Sequence, residues 1–289
     1  MDLPVPDAST LEALEALAVD VCREAGRLIV GERPADLGVA KTKSSATDIV
    51  TVMDQRAQDL LRSRLQDARP SDGFLGEEEG GTDGRSEITW VVDPIDGTVN
   101  YLYGIPSYAV SVAAVVGDPT VPGAWRPVAG AVVNPVTQEL FHARAGSGAW
   151  LRRGDAPAVR LEIADPPPLG QALVGTGFGY ATTRRAWQAR VLLDVLPQVR
   201  DIRRIGSAAL DLCAVAAGNL DAFYERGLNP WDMAAAWLVL TEAGGVVSGL
   251  GGEPPSPTMV VAAATTLHTE LHEVVLRAAQ QAGADASAS

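Results

Sequence analysis

Two aspartates three positions apart, Asp93 and Asp96, close the apolar run Trp90-Val-Val and are followed directly by Gly97 and Thr98. The pattern reads as a buried strand ending in a tight turn that sets two carboxylates and a hydroxyl on one side. Carboxylates so crowded repel one another unless a cation lies between them. Hard divalent cations take such oxygen ligands, and Mg²⁺ is held by a few carboxylates together with substrate phosphate oxygens. The chemistry indicated is metal-assisted work on a phosphate group. Asp-Pro and Asp-Gly are also common turn dipeptides, so this stretch alone leaves a plain turn open.

Other positions add to it. Glu77 and Glu78 follow the short apolar run Phe74-Leu-Gly, and Asp232 follows Pro230-Trp231 in what reads as the first turn of a helix. Each has an ordinary explanation: Glu77-Glu78-Glu79 as a solvated acidic corner, Asp232 as a carboxylate favoured by the helix dipole. The small apolar run after Asp232 points to a tightly packed helix start, where a carboxylate needs a partner. Gly206-Ser207-Ala208-Ala209 leads from a strand into a helix, so free N–H groups there suit a phosphate or polyol oxygen. As a plain N-cap, Ser207 needs no function. Thr98 offers a hydroxyl able to orient a water, and Asp54 could accept its proton if the fold brings the two together.

The bulk composition narrows the field. The chain has 289 residues, a formal net charge of −13, 47% hydrophobic and 20% charged residues. That is an ordinary globular mixture with a sizeable core. Nucleic acid is a poor partner for so acidic a surface, and an anionic substrate would need bound cations to invert the local potential. No apolar stretch has the length of a membrane span, and the start lacks a signal-peptide pattern, so a cytoplasmic location is the expectation. Cys22 and Cys213 read as small buried hydrophobes. His142, His268 and His272 fall outside every motif, which argues against a histidine-based mechanism.

The elements that must position these groups can be sketched. Residues 9–30 read as an amphipathic helix with Ser9 and Glu12 as a capping box and Gly31 as its stop; 51–65 form a second helix. Residues 88–92, 107–116, 127–134 and 137–143 are β-rich and closely spaced, which suggests an antiparallel meander. From about residue 165 strands and helices alternate, with helices at 183–196, 207–217 and 230–243 (Pro230 at its first position) and another from near 267. Residues 283–289 read as a disordered tail. Pro166-Pro167-Pro168 marks the boundary between an N-terminal lobe, 1–164, and a C-terminal lobe, 165–289, of one catalytic unit.

Taken in order, these motifs resemble the inositol monophosphatase family. The segment from Lys43 through Asp48 to Asp54, the Gly76-Glu77-Glu78 motif, the signature Trp90-Val-Val-Asp93-Pro-Ile95-Asp96-Gly97-Thr98-Val-Asn100, then Gly206-Ser207-Ala208-Ala209 and Trp231-Asp232-Met-Ala-Ala carry the likeness over nearly the whole chain. The resemblance implies an α/β, layered α-β-α-β-α sandwich shared with the fructose-1,6-bisphosphatases. It implies a phosphomonoesterase that uses two or three Mg²⁺ ions and a metal-activated water on inositol 1-phosphate or a related polyol phosphate. Carried over, the metal ligands are Glu77, Asp93, the Ile95 carbonyl, Asp96 and Asp232, with Glu78 behind them. Thr98 and Asp54 orient and help deprotonate the water, with Glu77 counted among the catalytic groups. Gly97 and Thr98 hold the phosphate, and Gly206, Ser207, Ala208, Glu225 and Asp232 contact the alcohol. Lys43 and Asp48 match a loop near the metal site. A homodimer and lithium sensitivity come with the same resemblance. Val99 and Ala236 depart from it, standing where many members have Thr and Gly, and Glu79 extends the acidic run. Alternatives are fructose-1,6-bisphosphatase or histidinol-phosphatase activity on the same scaffold, with Arg184, Arg185, Arg203 and Arg204 as a second-phosphate pocket or as solvated faces. A further alternative is a non-catalytic interaction protein of a transcription complex.

Overall fold

The amphipathic N-terminal segment forms α1 (Ala8–Gly31), with Leu11, Leu14, Ala18, Val21, Cys22, Ala25 and Ile29 on its buried face. Its cap is Asp7, which accepts from Thr10 N, and not the expected Ser9; Ser9 donates its hydroxyl to Asp7 instead. A carboxylate two residues earlier on the chain caps Thr10 N, so the helix starts sooner than the Ser9–Glu12 capping box would place it. A computed structural model describes residues 3–39, 41–42, 49–78 and 81–287 of the chain. Lys43, Asp48 and Glu79 lie outside the described residues.

A two-stranded pair, β1 (Lys41–Thr42) with β2 (Ile49–Val50), precedes α2 (Val52–Ala68). Thr51 caps α2 in a capping box with Asp54, so Asp54 is held by the helix start itself. Then come β3 (Gly73–Gly76), β4 (Ile88–Asp96), the short α3 (Thr98–Tyr103), β5 (Ala109–Gly117), β6 (Trp125–Asn134), β7 (Glu139–Arg144), β8 (Ala149–Arg153) and β9 (Val159–Leu161). They build one seven-stranded sheet in the order β3-β4-β5-β6-β7-β8-β9. Strands β4 to β7 are the expected antiparallel meander, which β8 and β9 extend beyond the predicted runs, while β3 joins its edge in parallel.

The second half supplies β10 (Leu173–Thr176), α4 (Thr182–Val195), β11 (Asp201–Arg203), α5 (Ala208–Ala216), β12 (Ala222–Glu225), α6 (Pro230–Glu242), β13 (Val246–Ser248), β14 (Val260–Ala263) and α7 (Thr265–Ser287). Its sheet runs β11-β10-β12-β14-β13. The tail expected from Gly283 is helical as far as Ser287.

Three apolar clusters show how the layers stack. Both faces of the larger sheet are covered, which is why its strands are apolar almost throughout rather than alternating. On one face Trp90, Val92, Val112 and Val133 meet α1 and α2. On the other, Val91, Ala113 and Val132 meet α5 and α6, which in turn cover Phe223, Val260 and Ala262 of the smaller sheet. The far face of that sheet, Val174, Tyr224 and Val261, packs on α4 and α7. The order is therefore α-β-α-β-α, as the motifs imply. Helix α6 sits in the central layer because its side chains are small: a Cβ on Gly130 of β6 would lie 3.2 Å from Ala235. Ala236 is fully buried in this layer, and the close approach falls at Ala235 instead.

Candidate active site

The signature does not end in a turn at Asp93, as expected; β4 runs on to Asp96. Asp93 pairs with Ser111 and Asp96 with Ala109, and the register slips between them. A bulge absorbs the missing N–H of Pro94, and Ile95 N donates to Asp93 Oδ1 at 3.0 Å. Gly97 then turns the chain at φ 97°, and a Cβ there would lie 3.0 Å from the Gly206 carbonyl. Only glycine meets both demands.

This turn and the start of α6 bring Asp93, Asp96 and Asp232 together, with one carboxylate oxygen of each within 4.8 Å of the others. Asp93 Oδ2 is buried with no hydrogen-bond partner. Asp96 Oδ2 accepts from Ser207 Oγ and Ala209 N, both at 2.7 Å. Asp232 closes the capping box of α6 by accepting from Asn229 N at 2.6 Å. Burial, then the charge of Glu77, holds Asp93 and Asp232 well above the usual carboxylate range. Asp96 is pushed up to about 6 by burial, a rise moderated by Ser207 and Ala209. Two buried carboxylates and a half-buried one, with a bare oxygen among them, are a site in want of a cation.

Beside them Thr98 Oγ1 lies 3.1 Å from both Asp54 Oδ1 and the Ile95 carbonyl. The pairing of Thr98 with Asp54 that sequence alone could not show is thus present. Asp54 Oδ2 is tied to Thr51 N at 2.8 Å and Thr51 Oγ1 at 2.5 Å, leaving Oδ1 for Thr98. Burial pushes Asp54 up to about 7 against the pull of Thr51. Glu78 is buried, its N–H held by Gln58 Oε1 at 2.9 Å.

Glu77, Asp96, Gly97, Gly206, Ser207, Ala208, Glu225 and Asp232 all line one cleft of about 440 Å³. At the start of α5 the N–H groups expected to face a ligand are partly taken: Ala209 N holds Asp96 and Leu210 N is capped by Ser207. Ser207 is therefore both a cap and a link to Asp96. Glu225 ends β12 half-buried, and burial pushes it up to about 8 although Arg204 and Arg184 pull it down. Those two arginines line the cleft, whereas Arg185 donates to the Tyr180 carbonyl and Arg203 pairs with Asp201. Arg184 and Arg204 are exposed to solvent and line the cleft at the same time.

Two residues gained no role from the sequence. Asp211 on α5 is buried and lines the cleft, with Oδ1 lacking a hydrogen bond; burial, then Glu225 and Asp96, push it up to about 8. Its place one helical turn after Ser207 was the available signal. Asn100 donates through Nδ2 to Ser107 O at 2.7 Å and Ile205 O at 2.9 Å, fastening α3 to the turn before α5. It stood inside the signature without a proposed task.

Residues 10–284 match the model of the inositol monophosphatase family. The chain belongs to that family. It is 44% identical over 273 residues to the inositol-1-monophosphatase SuhB of Mycobacterium tuberculosis H37Rv, covering 89% of this chain and 91% of that one. It is 35% identical over 240 residues to the Nus factor SuhB of Pasteurella multocida, covering 82% and 85%. The solved structure of Mycobacterium tuberculosis SuhB superposes with a TM-score of 0.76 at 43% identity, over 92% of this chain and 97% of that one. At this level the chain is a phosphatase acting on small phosphorylated compounds, in a generally metal-dependent family, with an acidic cluster that could hold a metal ion. Among the described residues no helix is long and apolar enough to cross a membrane.

Proposed function

We propose that this family member hydrolyses inositol 1-phosphate, or a closely related polyol phosphate, to the free alcohol and phosphate with Mg²⁺. The observation that carries the reading is the convergence of Asp93, Asp96 and Asp232 beside the Thr98–Asp54 hydrogen bond. Glu77, Asp93, the Ile95 carbonyl, Asp96 and Asp232 are the proposed ligands of two or three ions, with Glu78 behind them. Bound Mg²⁺ would lower the pKa of the attacking water and neutralise charge on the phosphate and the departing alcohol oxygen.

The remaining work falls to the chain. Thr98 donates to Asp54 Oδ1, so its lone pairs are left to accept from a water; as the water's proton passes to Thr98, that of Thr98 passes to Asp54. An acceptor with a pKa near 7 suits such a relay at neutral pH. The first-turn N–H groups of Gly97 and Thr98 meet no capping side chain and can hold phosphate oxygens. Gly206, Ser207, Ala208 and Glu225 face the alcohol, with Glu225 accepting from its hydroxyls. We take residues 1–164 and 165–289 as two lobes of this one catalytic unit, acting in the cytoplasm as a homodimer.

The test is phosphate release over a panel of inositol 1-phosphate, fructose 1,6-bisphosphate and histidinol phosphate, each with and without chelator. Chelator-sensitive release that favours inositol 1-phosphate is expected, and Asp93→Asn should abolish nearly all of it while staying folded. Equal release with chelator, or wild-type turnover in that variant, would refute the assignment. A second reading, an interaction role in a transcription complex, draws on the likeness to the Pasteurella Nus factor. Release from no panel member would favour it.

A further inference from the structure

The face of the larger sheet turned away from the cleft holds a second cavity, of about 390 Å³, between the C-terminal half of α1 and the ends of β6, β7 and β8. It shares no lining residue with the cleft. Its size suits a small organic molecule. Three arginines reach it, Arg23 and Arg27 from α1 and Arg152 from β8, against one carboxylate, Asp155. The local charge is thus opposite in sign to a chain of net −13. Among the described residues none of the three arginines has an ion pair or hydrogen bond, and Arg152 Nη2 is sealed from solvent without a partner.

The contrast on the same face is informative. Arg144 and His142 of β7, one strand away, are both met by the buried Glu15 of α1. There the fold supplies a carboxylate to a partly buried cation, as the cost of desolvating charge demands. At Arg152 it supplies none. Much of the remaining wall is apolar, with Val30, Val133, Pro135 and Leu140, and it includes Gly26, where an added Cβ would press on Val133 at 3.0 Å.

We propose that this cavity is a second ligand site, for a phosphomonoester with an apolar body. Guanidinium forks match phosphate oxygens. A formal excess of two positive charges answers a dianion, and the apolar wall receives the remainder of the molecule.

Calorimetric titration of the full chain in EDTA tests this, because without cations the crowded carboxylates of the cleft repel phosphate. The probes are phenyl phosphate, inorganic phosphate and benzoate. Phenyl phosphate is expected to bind saturably with one site per chain, ahead of inorganic phosphate (no apolar body) and benzoate (one charge fewer). Arg152→Met and Arg27→Met should each weaken it about tenfold, the usual scale for one charged hydrogen bond. Arg27 is exposed on α1, so its variant keeps the test alive if Arg152→Met does not fold. Arg204→Met, in the cleft, should leave the affinity unchanged. Absence of saturation at millimolar phenyl phosphate, unchanged affinity in the arginine variants that fold, or loss of binding in Arg204→Met would each overturn the proposal.

Discussion

Removing cations and raising pH together should destabilise this protein in a way that Mg²⁺ reverses. Asp211 and Glu225 carry pKa values of about 8 in the cation-free fold, against about 4 in an unfolded chain. Because the folded values are raised, the stability tied to these two protons is complete below about pH 4 and drains away as pH climbs to about 8. Within that window the folded state holds two protons that the unfolded state has released. Each is worth about 1.4 kcal/mol per pH unit at most; allowing for relaxation of the cleft, the pair costs about 1 to 3 kcal/mol per unit. For a chain of this size that lowers the melting temperature by roughly 2 to 5 °C per pH unit. Asp96, at about 6, adds to the early part of the slope. A cation at Asp93, Asp96 and Asp232 rewards ionised carboxylates, and at a hundred times its Kd adds about 2.7 kcal/mol. Melting curves from pH 5 to 9, in EDTA and in MgCl₂ at matched ionic strength, read both effects. The gap between the two arms should widen from pH 6 to pH 8, because protons compete with the cation. Asp211→Asn should flatten the EDTA slope by removing its share, which separates the effect from general repulsion in an acidic chain. A melting temperature in EDTA that is flat or rises over this range, or a gap independent of pH, would refute the reasoning.

Other outcomes follow from single contacts. Thr98→Val keeps the shape but removes the relay to Asp54, so kcat should fall about a hundredfold or more with the Mg²⁺ stabilisation unchanged in melting curves. Asn100→Ala loses both bonds to Ser107 and Ile205; a cost of about 1 to 3 kcal/mol in chemical denaturation is expected, with a raised KM as the Gly206 turn loosens. Glu225→Gln should raise KM for inositol 1-phosphate about tenfold and leave phenyl phosphate hydrolysis unchanged, since that ester has no hydroxyls to recognise.

Much of this was legible in the chain because local rules and tertiary demands agree. The helical spacing of Leu11, Leu14, Ala18 and Val21 and Pro230 at the first position of α6 read correctly, and the fold brings Asp93 and Asp96 of the signature beside Asp232. The failures have physical reasons. Pro94 reads as a strand breaker, yet β4 continues because the register slip removes the need for its N–H. The strands β8 and β9 went unpredicted because their arginines interrupt the apolar pattern; Arg152 is half-buried and Arg160 exposed on the same face of the folded sheet. Asp7 displaced Ser9 as the cap because its carboxylate, two residues upstream, accepts from both Thr10 N and the Ser9 hydroxyl. Asp211 and Asn100 have only weak local signals, a place one turn after Ser207 and a place inside the signature, and nothing local sets Arg184 and Arg204 apart from Arg185 and Arg203. Their roles exist only once the turn before α5 meets the end of β4.

The seat of Ala235 on Gly130 reaches further than packing. Asp93 and Asp96 ride on a strand and Asp232 on the helix resting against the neighbouring strands, so the span between the carboxylates is set by how deeply that helix settles. A single methyl group added at Gly130, out of contact with any solvent or ligand, would lift one wall of the ion cradle relative to the other. The spacing of the three carboxylates is in this sense written into the volume of residues that lie away from the cleft.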